Sequence, residues 1–140
     1  QCITNWGDNF EMDHSYSFYI GLSYLQLNEF DKAIPYFERT IAKQKEMFTD
    51  AHFLDLFYLG IAKYELGKYD EALNLFDEVL KQYPKFSDAM YYKALSLFRL
   101  NKPQEEYQTL LSQARELASK GFSITEDNAI YETYPYQVRW

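Results

Sequence analysis

Apolar residues recur every three or four positions along most of this chain, the spacing that places them on one face of a helix. The stretch Phe57–Pro84, FYLGIAKYELGKYDEALNLFDEVLKQYP, shows the pattern most clearly. It divides into two amphipathic helices, the first ending near Leu66-Gly67-Lys68 and the second starting at about Tyr69, with Tyr83-Pro84 closing the unit. Elsewhere the same spacing predicts helices over 13–27, 30–47, 51–66, 69–82, 87–100 and 103–120, an all-α chain of six main helices. Pro103 suits the first turn of its helix, where its missing N–H is not needed. Pro35 falls near the end of a first turn, and Gly121 reads as a left-handed helix stop.

The helices form a repeat. Gly60 lies inside a helix, where glycine costs about 1 kcal/mol relative to alanine, so it marks a close approach of another helix. Ala72 follows twelve residues later, and Phe76 one turn after that. Gly21, Ala33 and Phe37 repeat this grid, and Leu27-Asn28-Glu29-Phe30-Asp31-Lys32-Ala33 mirrors Leu66-Gly67-Lys68-Tyr69-Asp70-Glu71-Ala72. A third copy carries Ala94, Leu100-Asn101-Lys102 and Leu110. The steps are 60 − 21 = 39 and 94 − 60 = 34. The five additional residues fall around Lys45–Asp50, where they lengthen the second helix by about one turn of 3.6 residues and reshape its connection.

These positions resemble the tetratricopeptide repeat family over about residues 14–120. The second copy carries the pattern in Leu56, Leu59-Gly60, Ala72, Phe76 and Pro84. The first keeps Ile20-Gly21, Tyr24, Ala33 and Phe37, but has Ser17 at the usual aromatic position and lacks the closing proline. In the third, Lys93 and Glu106 replace an apolar and a small residue. The resemblance implies a right-handed superhelix of antiparallel helix pairs, an α-solenoid that serves as a binding scaffold. The expected organisation is an N-terminal segment over 1–13, a three-repeat domain over 14–120 and a C-terminal tail over 121–140, packed on the repeats or in their groove. In the tail, Ser123 and Glu126 form a candidate capping box, and Tyr134-Pro135-Tyr136 favours extended chain. Ile130, Tyr131, Tyr134, Tyr136, Val138 and Trp140 are too apolar to leave in water. Trp6 and Phe10 give Ile3–Asp13 the means to cover the first helix pair, or mark it as the remnant of an upstream segment.

The resemblance also places a recurring stripe on the concave groove of the superhelix: Phe18, Leu22 and Leu25; Phe57, Ile61 and Tyr64; Tyr91, Leu95 and Phe98. Spacings of four and three put each trio on one side of its helix. Five of these nine are aromatic, each able to bury roughly 150–250 Å², so the groove needs a cover. Three occupants fit: the chain's own Tyr131–Trp140, an apolar or aromatic segment of a protein or peptide partner helped by Gln26, Glu65 and Arg99, or the tail of a second copy in a homodimer. Relatives that hold acidic chaperone tails use Lys and Asn as a carboxylate clamp on these positions. Here Phe18, Leu22, Phe57 and Ile61 stand there, so such a tail is not the expected ligand.

Composition narrows the remaining classes. At 140 residues and 47% hydrophobic, the chain makes one folded domain. Fourteen Tyr and eleven Phe suit a contact surface. A net charge of −7 opposes nucleic acid and anionic membranes, and no apolar run reaches the ~20 residues of a membrane span. Cys2 stands alone, so no internal disulfide or cysteine metal cluster forms. His14 and His52 lack a third ligand at useful spacing and read as surface residues. Asp70-Glu71 and Glu105-Glu106 sit in first helical turns, where the helix dipole favours negative charge. With no phosphate loop and no activated nucleophile, the chain reads as a non-enzyme without cofactor or metal. Its start at Gln1 and its Tyr-rich surface favour a bacterial envelope or exported location over the cytoplasm.

Overall fold

The computed structural model describes residues 10–47 and 52–120. They form six helices: α1 Phe10–Gln26, α2 Phe30–Met47, α3 Phe53–Glu65, α4 Tyr69–Gln82, α5 Ser87–Arg99 and α6 Gln104–Ser119. No strand occurs among the described residues. The periodicity placed every one of these helices within three residues at each end. The expected lengthening of the second helix is present, since α2 has 18 residues and α4 has 14. Two prolines sit differently from expectation. Pro103 is the N-cap of α6 rather than a first-turn residue. Pro35 is the sixth residue of α2, and its exposure lets water satisfy the carbonyl that its missing N–H leaves free. Gly121, Ser123, Glu126 and the Tyr131–Trp140 segment lie outside the described residues, as does Trp6.

Each pair closes on the same turn. Asn28, Gly67 and Asn101 take positive φ angles of 61°, 82° and 59°. The amide after each donates back five residues: Glu29 N–H to Tyr24 C=O, Lys68 N–H to Lys63 C=O, and Lys102 N–H to Leu97 C=O. This is the Schellman stop, which satisfies carbonyls left free at a helix end. Asparagine tolerates the left-handed region with some strain, glycine with none. Asn28→Gly and Asn101→Gly are therefore expected to raise stability by about 0.5 kcal/mol each. Gly67→Ala, whose methyl would meet nothing within 4 Å, should lower it by about 1 kcal/mol through backbone strain alone. Thermal unfolding of the three variants checks both signs.

Within pairs, packing rests on the glycines that mark the period. A methyl group at Gly60 would lie 2.7 Å from Cε1 of Phe76, and one at Gly21 would lie 2.9 Å from Cε1 of Phe37. Both rings are fully buried and have nowhere to retreat. Alanine normally improves a helix by about 1 kcal/mol over glycine. Here Gly60→Ala should instead destabilise by about 1–2 kcal/mol, because the ring must shift in a full core. Urea denaturation reads the sign directly.

Between pairs, one contact recurs. Tyr58 of α3 stacks on Phe37 of α2 with centroids 6.1 Å apart, and Tyr92 of α5 stacks on Phe76 of α4 at 6.0 Å. Each first helix thus covers the preceding pair. Successive first helices touch one another, whereas the second helices α2, α4 and α6 make no contact among themselves. The stack therefore closes on the side of α1, α3 and α5 and splays on the other. It is a solenoid whose stability comes from neighbouring units.

Candidate functional site

The expected groove stripe divides by burial. Leu25, Phe57 and Ile61 are fully buried, and Leu22 is 9% exposed. Phe18, Tyr64, Tyr91 and Leu95 are half-buried, and Phe98 is 51% exposed. Four of the nine expected groove residues, Leu22, Leu25, Phe57 and Ile61, belong to the core. The reason is the stacking of pairs. Phe57 lies among the rings of Phe76, Phe86 and Tyr92, at 6.1, 5.0 and 5.9 Å, because α5 lies over it. Phe18 is enclosed in turn by Phe37 and Tyr58, each at 6.2 Å.

The third pair has no such cover among the described residues, and its part of the stripe stays open. Tyr91 of α5 and Gln108, Leu111, Ser112 and Arg115 of α6 line a cleft of about 390 Å³. Leu95 and Phe98 continue the same face of α5 by one and two further turns. Phe98 meets Tyr107 of α6 edge-on at 5.5 Å. Arg99 donates from Nε to the Tyr64 hydroxyl at 3.4 Å and ties the open end to the second pair. The face joins aromatic and aliphatic area to Gln108, Ser112 and Arg115, which can orient a polar backbone. Gln26 and Glu65 are exposed.

A second polar constellation was not anticipated. Asp55, in the first turn of α3, is 4% exposed. Its Oδ2 accepts from Gln44 Nε2 at 2.9 Å, while its buried Oδ1 has no hydrogen-bond partner among the described residues. Burial raises its carboxyl to about 6, against the lowering effects of Gln44 and of its own backbone N–H. Gln44 Oε1 accepts from the His52 backbone N–H at 2.8 Å, and His52 Nδ1 accepts from Leu54 N–H at 3.1 Å as the N-cap of α3. His52 is exposed, as expected, but it works as a cap. The sequence signal was a lone carboxylate inside the apolar run FLDLFYLG. This cluster fastens α2 to α3 rather than facing a ligand cavity. Among the described residues no three His, Cys, Asp or Glu group to hold a metal ion, and no helix is long and apolar enough to cross a membrane.

Comparison with known proteins gives the same architecture. Two profiles described as tetratricopeptide repeat match, one over residues 14–85, half of the chain, and the other over 58–121. None of the curated proteins matches. Among solved structures, MamA MSR-1 is 25% identical with a TM-score of 0.68, over 84% of this chain and 62% of that one. MamA AMB-1 is 24% identical with a TM-score of 0.69, over 84% of this chain and 64% of that one. The chain therefore spans less than two thirds of the length of these MamA proteins.

Proposed function

Because the chain belongs to the tetratricopeptide repeat family, we propose that it is an interaction scaffold that receives an apolar or aromatic protein segment on the open face of its third helix pair. A protein-binding scaffold is the general role that the repeats and the likeness to MamA support. One observation carries the finer reading. Phe57 and Ile61 are sealed by the next pair, whereas Tyr91 and Leu95, which hold their register one repeat later, remain partly open beside a cleft, with the exposed Phe98 one turn further on. An incoming helix or extended segment would do there what α5 does for the second pair. It would set aromatic or aliphatic anchors against Tyr91, Leu95, Phe98 and Leu111 and leave its polar edge to Gln108 and Arg115. Aromatic anchors of this kind carry most of the energy of such contacts.

A second reading places the chain's own residues 121–140 on this face. It is favoured by connectivity, because that segment follows directly from the end of α6, the helix that lines the cleft. A homodimer would arise if the segment crossed to a second copy.

The two occupants separate in one experiment. A random twelve-residue peptide library is selected on the full chain, and the enriched peptides are titrated against wild type and Tyr91→Ala/Phe98→Ala. Neither side chain is fully buried, so the fold should survive the substitutions. The proposal expects peptides with two or three apolar anchors and at least tenfold weaker binding to the variant. Unchanged affinity contradicts it. If the full chain selects nothing and a chain ending at Lys120 selects such peptides, the second reading holds.

A further inference from the structure

On the opposite side of the solenoid, where α4 and α6 splay apart over α5, lies an independent cleft of about 590 Å³. Leu73, Leu97 and Leu110 line it with aliphatic surface, and Asp77, Lys93, Glu105, Glu106 and Thr109 supply its polar lining. Lys93 and Glu106 are the two residues by which the third copy departs from the repeat pattern. They occupy the places where Leu59 and Ala72 pack in the second copy, and Leu110 occupies the place of the larger Phe76. What is filled core in one copy is a recess in the next.

The charges of the recess do not balance. Lys93 is held by Asp77 at 2.7 Å, so that pair is neutral. In the second copy, Glu71 pairs with Lys63 at 3.1 Å across α3 and α4. One repeat later, 34 residues on, Glu105 stands for Glu71, but Leu97 stands for Lys63. Glu105 has lost its cation, and Glu106 beside it adds a second carboxylate where the pattern has an alanine. Neither forms an ion pair among the described residues, and both are exposed. An aliphatic floor under two carboxylates that have the helix N-terminus but no ion-pair partner among the described residues suits a side chain that is aliphatic along its stem and cationic at its tip.

We propose that this outer cleft is a second docking surface, taking a Lys- or Arg-bearing aliphatic segment of a protein partner whose cation restores at Glu105 the pairing that Lys63 gives Glu71. The aliphatic stem lies on Leu73, Leu97 and Leu110, and the ammonium or guanidinium reaches Glu105 and Glu106. The chain's net charge of −7 draws such a segment in from a distance. Because this surface faces away from Tyr91 and Phe98, it does not depend on the open face of the third pair.

Fluorescein-labelled twelve-residue peptides test it: one of leucine and arginine, one of serine and arginine with the same charge, and one of leucine and glutamate. Anisotropy is read on wild type, on Glu105→Lys/Glu106→Lys, on Phe98→Ala, and on Glu38→Lys/Glu46→Lys in α2, which changes net charge equally away from the cleft. The expected result is saturable binding of the leucine–arginine peptide, at least tenfold tighter than the other two. Reversal at Glu105 and Glu106 should weaken it at least tenfold, against no more than about threefold for the distant reversal and no change for Phe98→Ala. Equal weakening by the two charge reversals, equal binding of the serine–arginine peptide, or loss on Phe98→Ala would each overturn the proposal. Absence of saturable binding by the leucine–arginine peptide would overturn it too.

Discussion

Replacing Phe57 by alanine is expected to cost about 3–5 kcal/mol, the range for removing a large aromatic side chain from a close-packed core. The ring is fully buried and touches α4 through Phe76, α5 through Tyr92 and the N-cap of α5 through Phe86. Its loss opens a cavity at the junction of the second and third pairs. In a stack held by neighbouring interfaces, that cavity loosens the third pair from the rest. A domain of this size has a total stability of about 5–15 kcal/mol, so a large fraction is removed. Phe98→Ala, on the equivalent face of the next pair, should cost less than about 1 kcal/mol, because Phe98 is 51% exposed. Urea denaturation of the two variants compares a sealed ring with an open one on the same stripe, two turns apart once the repeats are aligned. Equal costs would mean that α5 does not cover the second pair as described.

The second large effect is one of pH. The Asp55 carboxyl is raised in the folded state from its ordinary 3.8 to about 6, first by burial. Below about pH 4 it is protonated in both folded and unfolded chains, and the contribution to stability is fully present. Between about pH 4 and 6 the unfolded chain releases the proton while the folded chain retains it. Above 6 the folded chain carries a buried charge whose Oδ1 has no hydrogen-bond partner among the described residues. Stability from this residue therefore falls as pH rises through that window, by up to about 3 kcal/mol at about 1.4 kcal/mol per tenfold change. Asp55→Asn keeps an oxygen to accept from Gln44 and removes the charge. The variant should be more stable than wild type by about 2–3 kcal/mol at pH 7 and nearly equal to it near pH 4. Urea denaturation across pH 4–8 gives the difference curve. A difference that does not change with pH would show that Asp55 is not held in the protonated form.

How much of this was written in the sequence follows from what each signal encodes. Gly60, Ala72 and Phe76 read correctly as packing, because a helix-interior glycine twelve residues before an alanine encodes a local approach of two helices. Asn28 and Asn101 could be placed at turns by comparison with Gly67, since the left-handed stop is a local requirement. The face of the stripe was also legible, since helical spacing fixes which residues share a side. Whether that side is open depends instead on the neighbouring pair, which spacing does not encode. Phe57 and Phe98 look alike along the chain, yet one is sealed by Phe86 and Tyr92 and the other is not. Tyr58 and Tyr92, which make the inter-pair contact, do recur with the 34-residue step, and that recurrence was the signal available for the junction. The outer cleft showed itself as two departures from the pattern, Lys93 and Glu106. Their meaning emerges only once α4 and α6 stand apart, with Leu97 in the place of Lys63.

The account rests most on the claim that the third pair presents the receptive face. The direct measurement is an amide chemical-shift map of the full chain, isotopically labelled and titrated with a peptide selected on it for apolar anchors. The account predicts the largest shifts along residues 91–98 of α5 and 108–115 of α6, with α1 and α2 unmoved. Shifts centred on α1 and α2, or none along α5 and α6, would contradict it.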